Sequence, residues 1–144
     1  MQAWIDKYDA AGIVDSPDTS LVAACNGQFI VASPMQRALE SVAALGLEPD
    51  IIIDALYEAP LPVFNLPLLT LNPLTWVTVF RLLWMAGASG GVENFTSVKR
   101  RAQQVAGELA NLAETHERVL SVGHGFMNIL VARELQKRGW ERRI

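Results

Sequence analysis

Two histidines and one cysteine are all this 144-residue chain holds of the side chains that most often bind transition metals. A lone Cys25 excludes an internal disulfide and any cysteine-based metal site. His116 and His124 do not have the spacing of a ligand pair, so no metal and no cofactor is expected. Charge is also scarce. Twelve basic and fifteen acidic residues make up 19% of the chain and leave a net charge of −3. Nonspecific nucleic-acid binding normally needs a basic face, so a nucleic-acid partner is excluded. The clusters Lys99-Arg100-Arg101 and Arg133 to Arg143 read as solvated helix faces. The first residues, Met1-Gln-Ala-Trp-Ile-Asp-Lys, lack the pattern of a signal peptide, and a cytoplasmic location is expected.

Three common catalytic motifs are missing as well. No Gly-x4-Gly-Lys-Ser/Thr loop cradles a nucleotide phosphate, and no Gly-x-Gly-x-x-Gly follows a strand. A nucleophile elbow needs serine between its glycines, whereas Gly123 and Gly125 enclose His124. Ala59 to Phe80 carries no charge and is long enough to cross a bilayer. It also contains Pro60, Pro62, Pro67 and Pro73, which break the hydrogen bonding a spanning helix requires. It reads as an irregular apolar arm followed by a buried helix, with no membrane partner.

What is present is apolar mass. Apolar residues form 51% of the chain and mean hydropathy is +0.22, enough for one folded domain over residues 1–144. That hydropathy also predicts apolar surface used for self-association.

The periodicity alternates. Gln2 to Ala11 has helical spacing, and Ser20 to Cys25 is a second short helix. Phe29-Ile30-Val31-Ala32 is an apolar run of the buried parallel-strand type, followed by Ser33-Pro34 as a cap and first turn. The helix so opened runs to about Leu45. Ile51-Ile52-Ile53 is the next strand. Asn72-Pro73 repeats the cap-and-proline signature ahead of Trp76, Phe80, Leu83 and Trp84, and a long helix spans about Asn94 to Thr115. Val119 to Val122 is the third strand, and Met127 to about Lys137 the last helix. Such alternation predicts an α/β fold, a three-layer sandwich around a mostly parallel sheet.

In such sheets ligands bind beyond the carboxyl ends of the strands. Two strands end there in distinctive turns: Ser33-Pro34-Met35-Gln36-Arg37 and Gly123-His124-Gly125. Each opens a helix whose free N–H groups and positive dipole end suit an anion. With the Arg37 guanidinium and the His124 imidazole, they make a pocket for phosphate or sulfate.

These residues carry a resemblance. Val31-Ala32-Ser33-Pro34-Met35-Gln36-Arg37-Ala38-Leu39-Glu40-Ser41 resembles a signature of the histidine phosphatase superfamily, the phosphoglycerate-mutase-like group. There a strand ends in serine, and an arginine four residues later binds the phosphoryl group. Val119 to Gly125, followed by Phe126-Met127-Asn128, is similar to the signature that delivers that group's second catalytic histidine. Asp54 to Pro62 resembles the loop that carries its proton donor, which makes Glu58 the candidate acid. The resemblance implies a phosphoglycerate-mutase-like fold with Ser33, Arg37, His124 and Gly125 binding phosphate, and His124 and Glu58 as the catalytic pair.

One part of the pattern is absent from the sequence. The superfamily's nucleophile is a histidine in a strand ending Arg-His-Gly, and neither histidine here sits in such a motif. The resemblance therefore implies a member without its first strand, impaired as a phosphatase, that keeps a site for a phosphate-like anion or phosphoester. It further implies that Val119–Val122 becomes a sheet edge, and exposed apolar edges pair with other chains, so a homo-oligomer is expected. Two other readings stand beside this one. If an upstream Arg-His-Gly belongs to the native gene product, the protein is an active phosphomonoesterase. If the pocket is vestigial, the apolar arm and aromatic helix make a non-catalytic interaction module.

Overall fold

The short apolar runs and the helical repeats assemble as their alternation implies. The computed structural model describes residues 19–64 and 72–142. The helix expected over Gln2 to Ala11 and the centre of the apolar arm, 65–71, lie outside the described residues. The elements in order are α1 (Thr19–Cys25), β1 (Phe29–Ala32), α2 (Gln36–Ala44), β2 (Ile51–Ile52), a 3-10 turn (Asp54–Leu56), α3 (Pro73–Met85), α4 (Phe95–Thr115), β3 (Val119–Val122) and α5 (Gly125–Lys137).

The three strands form one parallel sheet in the order β2-β1-β3. Val31 lies opposite both Ile51 and Ser121, and Ala32 opposite Ile52 and Val122. Central β1 is covered on both faces, which is why its sequence is continuously apolar rather than alternating. Val31 faces the larger core, built with Val98, Ala102, Val105 and Ala106 of α4 and Met127, Leu130 and Val131 of α5. Ile30 and Ala32 face the other way, onto Val42 and Leu39 of α2. The result is the expected α/β/α sandwich. Two-residue β2 is prolonged by Asp50, whose Oδ2 accepts from Ile30 N at 2.7 Å while its own N–H donates to Ile30 O at 2.8 Å.

The asparagine caps act as their positions predict. Asn72 Oδ1 accepts from Leu74 N at 3.0 Å ahead of Pro73, and Asn94 Oδ1 accepts from Ser97 N at 2.8 Å. Trp76, Phe80 and Trp84 recur every four residues along α3 and all three are buried, Trp84 completely.

Two boundaries differ from the sequence reading. Ser33 does not cap α2, which begins at Gln36 after Met35, with no side-chain cap. The Ser33 N–H still belongs to the sheet, donating to Val122 O at 2.9 Å, and its hydroxyl instead closes a short turn by accepting from Met35 N at 3.3 Å. At the other end α5 starts at Gly125, two residues earlier than expected, with His124 at the N-cap position. Among the described residues β3 pairs with β1 alone, and all four of its residues are half-buried. No helix among the described residues is long and apolar enough to cross a membrane.

Candidate functional site

The parallel register brings the ends of β1 and β3 side by side, so the residues that follow them meet. Ser33 Oγ and His124 Nε2 lie 3.1 Å apart although they are 91 positions apart in sequence. Both are buried, Ser33 completely and His124 to 7% exposure. A cleft of about 220 Å3 opens beside them, lined by Arg37, Ser41, Glu58, Gly123, His124 and Gly125. Ser33 does not line this cleft. Its hydroxyl meets Nε2 of His124, which does.

Glu58 reaches the same place from the loop after β2. Its Oε1 accepts from Met127 N at 3.1 Å and from its own neighbour Ala59 N at 2.7 Å, and its Oε2 accepts from Phe126 N at 3.3 Å. A carboxylate on the first-turn N–H groups of a helix is favourable for hydrogen bonding and for the helix dipole. Glu58 therefore holds the start of α5, next to His124, and occupies two first-turn amides of that helix. The sequence alone predicts free N–H groups there.

The two glycines do different work. A Cβ on Gly123 would come within 2.6 Å of Asn128 Oδ1 and 3.4 Å of Leu56 Cδ2, so glycine there lets the chain pass beneath the first turn of α5. A Cβ on Gly125 would meet nothing within 4 Å. Neither has a positive φ. Close backbone approach thus accounts for Gly123, while Gly125 contributes an open wall of the cleft.

The Glu58 loop is fixed by two arginines. Arg101 of α4 donates through Nη1 to Ala55 O and Tyr57 O, each at 2.7 Å, and through Nη2 to Glu93 Oε2 at 2.9 Å. Its guanidinium lies 3.5 Å from the Tyr57 ring centroid, and the Tyr57 hydroxyl donates to Glu93 at 3.0 Å. Burial raises the Tyr57 phenol above its ordinary value, helped by the bond to Glu93 and opposed by the Arg101 charge. Arg81 of α3 donates to Pro60 O at 3.0 Å and to Ala59 O at 3.4 Å. Burial lowers the Arg81 guanidinium below its ordinary value, partly offset by the nearby Glu58 charge.

A sequence model of the histidine phosphatase superfamily (branch 1) matches residues 19–143. The chain belongs to this superfamily. Among solved structures, it is similar to the protein of the open reading frame Rv3214 from Mycobacterium tuberculosis, with 18% identity and a TM-score of 0.59. That likeness covers 78% of this chain and 57% of the other, so the chain spans little more than half of that protein, and at this identity it speaks for the fold alone. No curated protein sequence matches the chain.

In this superfamily member the other histidine, His116, is far from the cleft. His116 follows α4 and stacks on Phe29, with ring centroids 3.8 Å apart. Phe29 opens β1, so His116 sits at the amino ends of the strands and His124 at their carboxyl ends. Of the residues singled out from sequence, Arg37, Glu58, His124 and Gly125 converge on one cleft, with Ser33 behind them. Arg81 and Arg101 were missed. For Arg81 a signal existed: it is the first charged residue after the uncharged stretch Ala59 to Phe80.

Proposed function

We propose that this histidine phosphatase superfamily protein binds a phosphate-like anion, inorganic phosphate or the phosphoryl group of a phosphoester, in the Arg37–His124 cleft. The 144-residue polypeptide is catalytically impaired. The observation that carries this reading is the Ser33 Oγ to His124 Nε2 contact of 3.1 Å, which orients the imidazole at the rim of a cleft that Arg37 also lines. A guanidinium and an imidazole converging on one small opening suit a tetrahedral oxyanion.

Within these 144 residues, the support for impairment is where the two histidines stand. A covalent phosphohistidine mechanism with a second stabilising histidine needs two imidazoles at one phosphoryl group, and His116 stands at the opposite end of the strands from His124. His124 cannot both attack the phosphorus and steady the charge on it. Loss of a covalent nucleophile costs orders of magnitude in rate even when binding survives. Glu58 remains the candidate proton donor only if it releases the N–H groups of Phe126 and Met127 that it accepts.

Phosphate at about ten times its Kd should raise the melting temperature by about 3–5 °C, and Arg37→Met should remove the rise. Hydrolysis of p-nitrophenyl phosphate by the same chain should stay at background. No shift with millimolar phosphate counts against the binding site, and turnover abolished by His124→Ala counts against impairment.

The chain also self-associates through the β3 edge. The support is that β3 is paired on one side among the described residues and lies beside Leu135 and Trp140, the latter 48% exposed. Light scattering at micromolar concentration should give at least a dimer mass, and a monomer mass would contradict this.

A further inference from the structure

The cleft residues come from segments far apart in sequence, and a contact outside the cleft joins two of those segments. Arg81 does not line the cleft, yet its guanidinium grips both halves of the Glu58–α5 junction. On the loop side it donates to the carbonyls of Ala59 and Pro60, the two residues after Glu58. On the helix side it lies 4.3 Å from the ring centroid of Phe126, whose N–H is one of those that Glu58 accepts. Trp84, one turn further along α3, supports the guanidinium at 5.0 Å and packs on Phe126 at 6.0 Å. Phe126 is the second residue of α5, whose N-cap is His124.

We infer that Arg81 is a positioning residue for the anion site: by clamping the 58–60 loop to Phe126 it fixes the start of α5, and with it His124 and Gly125, relative to that loop and, through the Glu58 N–H that donates to Met35 Sδ at 3.3 Å, to the start of α2 that carries Arg37. The inference rests on the proposed binding of phosphate for its functional consequence, but its structural content does not depend on that reading.

The chemistry suits arginine specifically. Its planar fork reaches two carbonyls at once while a face stays free for an aromatic ring, whereas a lysine ammonium on a flexible stem can hold one carbonyl or one ring but poorly both. Burial lowers the guanidinium from its ordinary value, in keeping with a cation withdrawn from water and held by carbonyls and π-faces.

The test compares the wild-type chain with Arg81→Met, which keeps the length and loses the donors, and with Arg81→Lys. Two quantities are read: amide hydrogen exchange at Phe126 and Met127 without phosphate, and the Kd for inorganic phosphate. In Arg81→Met, exchange at these two amides should accelerate about tenfold relative to Val31 and Val122 in the β1–β3 ladder, and phosphate should bind about fivefold more weakly. Arg81→Lys should fall between. A generally structural role would lower the melting temperature while leaving the relative exchange and the Kd unchanged, and that result overturns the inference. If Arg81→Met fails to fold, Arg81→Lys carries the test, and wild-type exchange and affinity there overturn it equally. If the wild-type chain binds no phosphate, the proposed function fails, and the positioning role is decided by the exchange ratio alone.

Discussion

Replacing Arg101 with methionine should destabilise the protein by about 3–4 kcal/mol, measured as a loss of midpoint in urea at unchanged slope. The guanidinium side chain is 10% exposed and its partner Glu93 is 23% exposed, so the pair is poorly screened. Methionine would fill much of the volume and retain contact with the Tyr57 ring. It would leave the Glu93 carboxylate without its cation and the carbonyls of Ala55 and Tyr57 without donors. Removing one member of a hydrogen-bonded, largely buried ion pair costs more than the pair contributes, because the remaining charge stays desolvated. The loop that carries Glu58 would lose its main anchor to α4. A loss under 1 kcal/mol would mean that the 55–57 segment is held by other contacts.

His124→Ala should weaken phosphate binding by about tenfold to a hundredfold, the loss of one charge-assisted contact. It should also lower stability by about 2 kcal/mol, since it removes a buried ring and one of the two partners of the fully buried Ser33 hydroxyl. Ser33→Ala should cost about 1 kcal/mol and weaken phosphate binding less, because the Ser33 hydroxyl does not line the cleft and touches His124 and Met35 N instead. The double variant distinguishes contact from coincidence: the two stability losses should fall short of additive by about 0.5–1 kcal/mol. Full additivity would mean that the 3.1 Å approach has no energetic coupling.

The strands and helices were legible in sequence because their determinants are local. The run Phe29 to Ala32 has no polar alternation, since both faces of β1 are covered. The caps at Asn72 and Asn94 act within three residues of themselves. The family signatures gave Arg37, His124 and Ser33 their order, and the parallel register of β1 and β3 brings them together.

What was not legible joins residues far apart in the chain. Nothing in the spacing of Glu58 foretells that its carboxylate closes on Phe126 and Met127, 68 and 69 positions later. Arg101 looked like part of a solvated basic cluster with Lys99 and Arg100. Its two neighbours are exposed, but α4 turns Arg101 alone toward the Ala55–Tyr57 loop. Ser33-Pro34 has the local form of a helix start, yet Ser33 stays in the sheet because its N–H bonds to Val122 O, a pairing that depends on β3.

Whether the proposed anion site at His124, where the carboxyl ends of β1 and β3 meet, binds phosphate can be read at the imidazole itself. The most direct measurement is proton NMR of the imidazole Cε1–H resonances during titration with inorganic phosphate at constant pH and ionic strength. The chain supplies its own control, because its two histidines lie at opposite ends of the strands. The account predicts a saturable shift at His124, lost in Arg37→Met, with His116 unmoved. Equal shifts at both histidines, or none at His124 up to tens of millimolar phosphate, would contradict it.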